Sequence, residues 1–194
     1  MAIEWESSDY QDALTELNLE LQQNPDDIDA YYARSELYYS VEDYDAGIKD
    51  LNGILQRNSQ EVLAYMFRAY GYGQLNNYLL AIDDYNTVLD LSPKYAKAYF
   101  NRGTIYHKLE QYQQAIADFD LAIKLNADYA DAYYNRAIVQ NQLEQYQKAI
   151  ADYTEVIRLQ PHDEAAYYNR GNTYNKIKQY SQALTDYNRA ISLK

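Results

Sequence analysis

The sequence predicts an all-α fold, a solenoid of stacked antiparallel helix pairs, and three observations carry that expectation. One residue pattern recurs every 34 positions. Within each copy the apolar and aromatic residues fall three and four apart, the helical period. Proline occurs only at Pro25, Pro93 and Pro161, always at the same phase, where one helix must stop before the next begins.

The repeat is read most directly from Ala30-Tyr31-Tyr32-Ala33-Arg34. It aligns with Ala64-Tyr65-Met66-Phe67-Arg68, Ala98-Tyr99-Phe100-Asn101-Arg102, Ala132-Tyr133-Tyr134-Asn135-Arg136 and Ala166-Tyr167-Tyr168-Asn169-Arg170, each step being 34 residues. Residues 1–27 form an N-terminal half repeat or cap, because Tyr10, Ala13, Leu14 and Leu17 stand one period before Tyr44, Gly47, Ile48 and Leu51. Whole repeats follow at 28–61, 62–95, 96–129 and 130–163, and a last one at 164–194 ends three residues short. In that last repeat 167–177 and 180–193 are helical stretches separated by the polar Lys178-Gln179, so each repeat is a helix pair. Small residues recur where paired helices cross: Ser35, Ala69, Gly103, Ala137 and Gly171 on the first, Gly47, Ala81, Ala115, Ala149 and Ala183 on the second. A bulky side chain there would hold the axes apart. Gly47 and Gly53 interrupt the second helix of 28–61, and at about 1 kcal/mol each against Ala they mark it as the least stable repeat. The whole is expected to be one solenoid domain in which each repeat contacts its neighbours.

Composition removes several functions. With 17 Lys+Arg against 29 Asp+Glu the chain carries a formal charge of -12 and no basic run, which argues against nucleic acid and against anionic membranes. Without Cys there is no disulfide, thiol nucleophile or thiolate zinc site, and His107 and His162 stand too far apart for a histidine metal site. No cofactor is expected. No Gly-rich phosphate loop, H-E-x-x-H, G-x-S-x-G or EF-hand spacing occurs, so enzyme activity is not expected either. No apolar run approaches the ~18 residues of a membrane span, and Met1-Ala2-Ile3-Glu4-Trp5-Glu6 lacks the form of a signal peptide, which together point to the cytoplasm.

Two charged series keep step with the repeat: Arg34, Arg68, Arg102, Arg136 and Arg170, and Asp50, Asp84, Asp118, Asp152 and Asp186. In an antiparallel pair these phases come opposite each other, giving a ladder of ion pairs within or between repeats worth about 0 to 1 kcal/mol each if exposed. Most of the 25 Tyr occupy four scaffold phases and read as core, the ring buried and the hydroxyl reaching a polar partner. Tyr32, Tyr39, Tyr70, Tyr134 and Tyr168 fall elsewhere and are candidates for a surface.

This arrangement resembles the tetratricopeptide repeat family, over essentially all of the chain from about Ser8 to Lys194. An aromatic at the fourth residue, a small one at the eighth, Tyr at the eleventh, Ala at the twentieth and an aromatic at the twenty-fourth recur in step. Gln140 departs from the eleventh-residue Tyr, and Glu20 from a small residue. The resemblance implies a right-handed superhelix whose first helices line a concave groove, and a non-enzymatic scaffold holding an extended segment of a partner protein. Its groove phases fall on Met66, Phe67 and Tyr70, then on Lys97, Phe100, Asn101, His107 and Lys108. They continue with Asp131, Tyr134, Asn135, Ile138, Asn141 and Gln142, and close with Tyr168, Asn169, Asn172, Asn175 and Lys176. Asn101, Asn135 and Asn169 would form a ladder of amides, each with a donor and an acceptor for a peptide backbone, and Phe100, Tyr134 and Tyr168 would form pockets. Lys97, Lys108 and Lys176 against Asp131 favour a neutral or acidic peptide. The carboxylate clamp of chaperone-binding members is not matched, since the fifth residue of each repeat is aromatic or Met where the clamp has Lys.

The ends offer a second expectation. No polar capping helix follows Ile191-Ser192-Leu193-Lys194, and only Ile3 and Trp5 are available to cover Leu14, Leu17 and Leu21. The alternative reading is therefore structural self-assembly as a homo-oligomer through uncapped ends, or a segment of a larger multidomain protein, with Leu184 and Ile191 in the contact.

Overall fold

The computed structural model describes residues 7–193, and among these every regular element is an α-helix. Ile3 and Trp5 lie outside the described residues. The first block, within Met1–Pro93, contains α1 (Ser7–Gln23), α2 (Ile28–Ser40), α3 (Tyr44–Arg57), α4 (Val62–Gln74) and α5 (Tyr78–Leu91). The second, within Lys94–Lys194, contains α6 (Ala96–Lys108), α7 (Tyr112–Leu125), α8 (Ala130–Gln142), α9 (Tyr146–Leu159), α10 (Glu164–Lys176) and α11 (Tyr180–Ser192). In each block successive helices pack on one another, first helix against second within a repeat and second against the next first between repeats. That is the stacked helix-pair arrangement of a solenoid.

Local chemistry sets the boundaries. Asp27, Asp43 and Asp163 cap α2, α3 and α10 by accepting the backbone N–H groups of Ala30, Ala46 and Ala166 at 3.0 to 3.1 Å. Each turn inside a repeat reverses through one left-handed residue: Glu42, Asn76, Glu110, Glu144 or Lys178, with φ between 58° and 63°. At the first of them the N–H of Glu42 donates to the Tyr39 carbonyl and that of Asp43 to the Tyr38 carbonyl, at 3.1 and 2.9 Å. The same pair of bonds closes α4, α6, α8 and α10, so the last carbonyls of every first helix are satisfied without glycine. Pro25, Pro93 and Pro161 lie in the turns between repeats, two residues past the ends of α1, α5 and α9.

The core sits where the pairs cross. Ala69, Ala81, Ala115, Ala137 and Ala149 are fully buried; the Phe119 ring packs with Ala115 and the Tyr153 ring with Ala137 and Ala149, and Tyr85 is buried as well. A Cβ on Gly103 would come 2.9 Å from the Phe119 ring and one on Gly171 2.9 Å from the Tyr187 ring, so glycine at these crossings lets the aromatic lie on bare backbone. Gly47 has the same task. Its missing Cβ leaves room for Tyr39, whose Cδ1 would stand 2.5 Å from it. The expected weakness of 28–61 is thus offset in part by a half-buried ring that alanine would displace.

The Arg and Asp series meet inside each repeat. Arg34 Nε and Nη2 grip Asp50 at 2.8 and 2.6 Å, and Arg68–Asp84, Arg102–Asp118, Arg136–Asp152 and Arg170–Asp186 repeat that two-pronged geometry. The third nitrogen, Nη1, reaches back to the preceding second helix, to Asn18 from Arg34, Asn52 from Arg68, Asp120 from Arg136 and Thr154 from Arg170. The five carboxylates are buried, so these are not exposed pairs of small value. Tyrosine rings flank the guanidinium: Arg68 lies 5.3 and 5.9 Å from the Tyr65 and Tyr72 centroids, Arg170 5.8 and 6.0 Å from Tyr167 and Tyr174. Where Gln140 replaces the second tyrosine, Arg136 instead gains a second carboxylate, Asp120.

Candidate functional site

The first helices of the second block, α6, α8 and α10, share one face. Three side-chain bonds tie it together: His107 Nε2 with Gln142 Oε1 at 2.8 Å, Asn141 Nδ2 to Thr173 Oγ1 at 2.8 Å, and Asn169 Nδ2 to Tyr134 Oη at 2.6 Å. Each crosses from one first helix to the next, one repeat along.

Between α8 and α10 lies a cleft of about 410 Å³ lined by Ile138, Asn141, Gln142, Tyr153, Asn169, Asn172, Thr173, Asn175 and Lys176. Its wall is mostly amide. Asn141 spends its nitrogen on Thr173 while its Oδ1, buried, has no hydrogen-bond partner. Asn172 Oδ1 accepts from the Tyr187 hydroxyl at 2.9 Å, which leaves its own N–H groups turned elsewhere. Lys176 Nζ stands 5.5 Å from the Tyr146 ring centroid at the rim. A second cleft of about 300 Å³, between α10 and α11, is lined by Glu164, Tyr168, Asn172, Tyr187, Ala190 and Ile191.

The expected groove residues divide on these surfaces. Ile138, Asn169, Asn172 and Lys176 are brought together in the first cleft, and Tyr168, 54% exposed, opens the second. Lys97 and Lys108 are exposed on α6. Phe100 is half-buried, its ring 4.9 Å from Tyr129 and 6.0 Å from Phe119, so it is as much core as surface. Tyr134 packs edge-on against Tyr153 at 5.6 Å. Burial raises the Tyr134 hydroxyl above the ordinary phenol range, against the bond from Asn169.

In the first block, Phe67 packs 6.1 Å from Tyr32 and leans on the Leu51, Ile54 and Ala64 core, while Tyr70 is exposed. Met66 departs from expectation. It is only 6% exposed and counts among the buried hydrophobic residues of α4, so it does not face an open groove.

The three amides expected to form a ladder are arranged differently from one another. Asn135 Nδ2 folds back on the Asp131 carbonyl of its own helix at 2.9 Å, as a short polar side chain on an exposed helix readily does. Asn169 points at Tyr134, and Asn101, half-buried, makes no side-chain bond among the described residues. Tyr153 and Thr173 were not among the expected site residues, since both fall on core phases and line the cleft only at its base.

Stacked pairs clasped by a recurring Arg–Asp bond, with a polar and aromatic face left open on the first helices, define a helical repeat scaffold. The sequence comparisons place it: the tetratricopeptide repeat profile matches residues 96–129, 130–163 and 164–194, and a related TPR repeat profile matches 71–110. The chain belongs to the tetratricopeptide repeat family, whose members generally serve as protein-interaction scaffolds. No curated protein matches the chain. Among solved structures it is similar to that of MamA, at 24% identity over 82% of this chain and 93% of that one, TM-score 0.78. It is also similar to YrrB, described as a TPR protein with an unusual peptide-binding site, at 22% identity over 92% of each chain, TM-score 0.73. A tetratricopeptide repeat protein from Parabacteroides merdae matches at 20% identity over 96% of this chain and 74% of its own, TM-score 0.81. At these identities the likeness is one of fold. Among the described residues no helix is long and apolar enough to cross a membrane.

Proposed function

We propose that the protein is a non-enzymatic scaffold whose α6, α8 and α10 face holds an extended, neutral or acidic segment of a partner protein. The observation that carries this reading is the cleft between α8 and α10, whose lining holds the side-chain amides of Asn141, Gln142, Asn169, Asn172 and Asn175. Each such amide offers both a donor and an acceptor to a peptide backbone laid along the cleft. Asn169 and Asn172 extend that polar edge, Ile138 and Tyr168 offer apolar contact, and Lys176 at the rim favours an acceptor-rich or acidic residue. Asn101 and Asn135 continue the row along α6 and α8. The fold likeness to YrrB, described as a TPR protein with an unusual peptide-binding site, supports peptide binding by a scaffold of this fold. The test is affinity capture from the source's lysate by the intact protein and by a variant carrying Asn101→Ala, Asn135→Ala and Asn169→Ala, with folding checked by circular dichroism. A partner retained by the first and lost by the folded variant is expected; identical captures would remove the groove from the function.

One observation favours a second reading, self-assembly. On α11, Leu184 and Ile191 are 60% and 68% exposed, whereas Ile150 and Ile157, at the same phases of α9, are half-buried where α10 packs against that helix. If that face joins two copies, Leu184→Glu lowers the sedimenting mass and leaves lysate capture unchanged.

A further inference from the structure

The first block carries a tyrosine cluster that is rooted in the core through Tyr39 and turns its other two rings outward, away from any use in the amide cleft. Tyr39, Tyr44 and Tyr70 form a closed triangle, with centroids 5.3, 6.1 and 6.3 Å apart. Tyr39 is its floor, wedged over Gly47 and Gly71 with its hydroxyl donating to the Phe67 carbonyl at 3.1 Å. Tyr70 is the rim, 45% exposed, and Tyr44 stands half-buried beside it.

Ring faces attract cations, and this chain uses that attraction repeatedly. In the same block Arg34 and Arg57 lie on Tyr31, and Arg68 lies between Tyr65 and Tyr72. Those arginines are committed: Arg34 and Arg68 to Asp50 and Asp84, Arg57 to Asp26. Among the described residues no cation lies over Tyr39, Tyr44 or Tyr70. Two carboxylates lie at neighbouring positions of the chain. Glu36 is exposed one turn before Tyr39 on α2, and Glu42 is exposed in the turn just before Tyr44; neither forms an ion pair among the described residues.

We propose that this cluster is a recognition site for an arginine side chain on a partner protein, the guanidinium lying on the exposed ring of Tyr70 and the outer edge of the half-buried Tyr44, with Glu36 and Glu42 as counter-charges. Arginine fits better than lysine because its planar, weakly hydrated guanidinium stacks on an aromatic face while its edge still donates to a carboxylate. The site is separate from the amide cleft and of opposite charge preference.

The test uses the full chain and a fluorescein-labelled peptide, Gly-Ser-Gly-Arg-Gly-Arg-Gly-Ser, read by fluorescence anisotropy. Companion peptides carry citrulline, lysine or trimethyllysine at both arginine positions. The arginine peptide is expected to bind at least about fivefold more tightly than the citrulline one, and Tyr70→Leu to remove most of that difference. Tyr70→Phe, which keeps the ring, should retain it, and Glu36→Gln should weaken binding about twofold. The variant lacking Asn101, Asn135 and Asn169 should bind the arginine peptide normally, which separates this site from the amide cleft. Equal binding of arginine and citrulline peptides, or of neither, overturns the proposal. So does an arginine preference that survives Tyr70→Leu, which would belong to the net charge of -12. Tighter binding of the lysine or trimethyllysine peptide overturns the assignment to arginine.

Discussion

Single residues decide how closely the helices approach, and Gly47 is the clearest case. In isolation, an alanine inside a helix is better than glycine by about 1 kcal/mol. Here its Cβ would meet the Tyr39 ring, which cannot swing away: the hydroxyl is held by the Phe67 carbonyl, and a Cβ on Gly71 would stand 2.8 Å from Tyr39 Cζ on the other side. Overpacking of this kind costs about 1–3 kcal/mol. Gly47→Ala is therefore expected to lower stability by about 1–2 kcal/mol in urea unfolding despite its helix propensity. Tyr39→Leu should make the same Gly47→Ala change neutral or favourable; an equal loss in both backgrounds would mean that the ring is not the obstacle. Gly47 reads in sequence as a fault because the residue that needs it lies eight positions away, on another helix. The left-handed residues were equally hidden. Glu42, Glu110, Glu144 and Lys178 carry no glycine signal, and only their fixed phase in the repeat marks them.

Pairs of helices are held by the Arg–Asp clasp, and its worth depends on burial. Burial pushes the Asp84 carboxyl up from its ordinary pKa, the Arg68 bonds opposing it, and the same bonds raise Arg68. Such a pair adds little against an apolar replacement, but losing one partner strands the other. Asp84→Ala leaves Arg68 with the neutral Asn52 and is expected to cost about 3 kcal/mol, whereas Arg68→Met with Asp84→Leu should recover most of that loss. Urea midpoints of the single and double variants check it; a double variant as unstable as the single one would show that the charges add net stability. The exposed Arg158–Glu155 pair should add little by comparison, being screened by water. The ladder itself was legible, since two charged series in fixed phases opposite each other on antiparallel helices must meet. What phase alone could not supply was depth, nor that Nη1 would reach back to Asn18, Asn52 or Thr154 and so link repeats.

At the scale of the molecule, periodicity made the helices readable, because a repeat checks itself: a boundary placed wrongly in one copy would fail in the others. The site was less legible. Phase assigns Asn135 and Asn169 one direction, yet local competition turns the first to its own backbone and the second to Tyr134. Met66 shares a phase with Tyr134 and Tyr168 but is slim and flexible enough to sink into the core. What does hold throughout is the dependence on tyrosine, and it makes the fold sensitive to alkali. Burial above all raises Tyr32, Tyr129 and Tyr153 to about 12, and Tyr39 further still. Each hydroxyl stays neutral in the fold to a higher pH than in the unfolded chain, where it titrates near 10. Its contribution to stability is therefore complete below pH ~10 and lost as pH rises through about 12. Three such groups spread over both blocks titrate in that window, with Tyr39 above it, so helix content should collapse cooperatively between about pH 10 and 12, with tyrosinate absorbance rising in the same transition. Circular dichroism and absorbance followed on one alkaline titration check it. If tyrosinate formed in full while the helices persisted, the rings would be reaching water in the folded state, and the tyrosine core would not be what holds the pairs together.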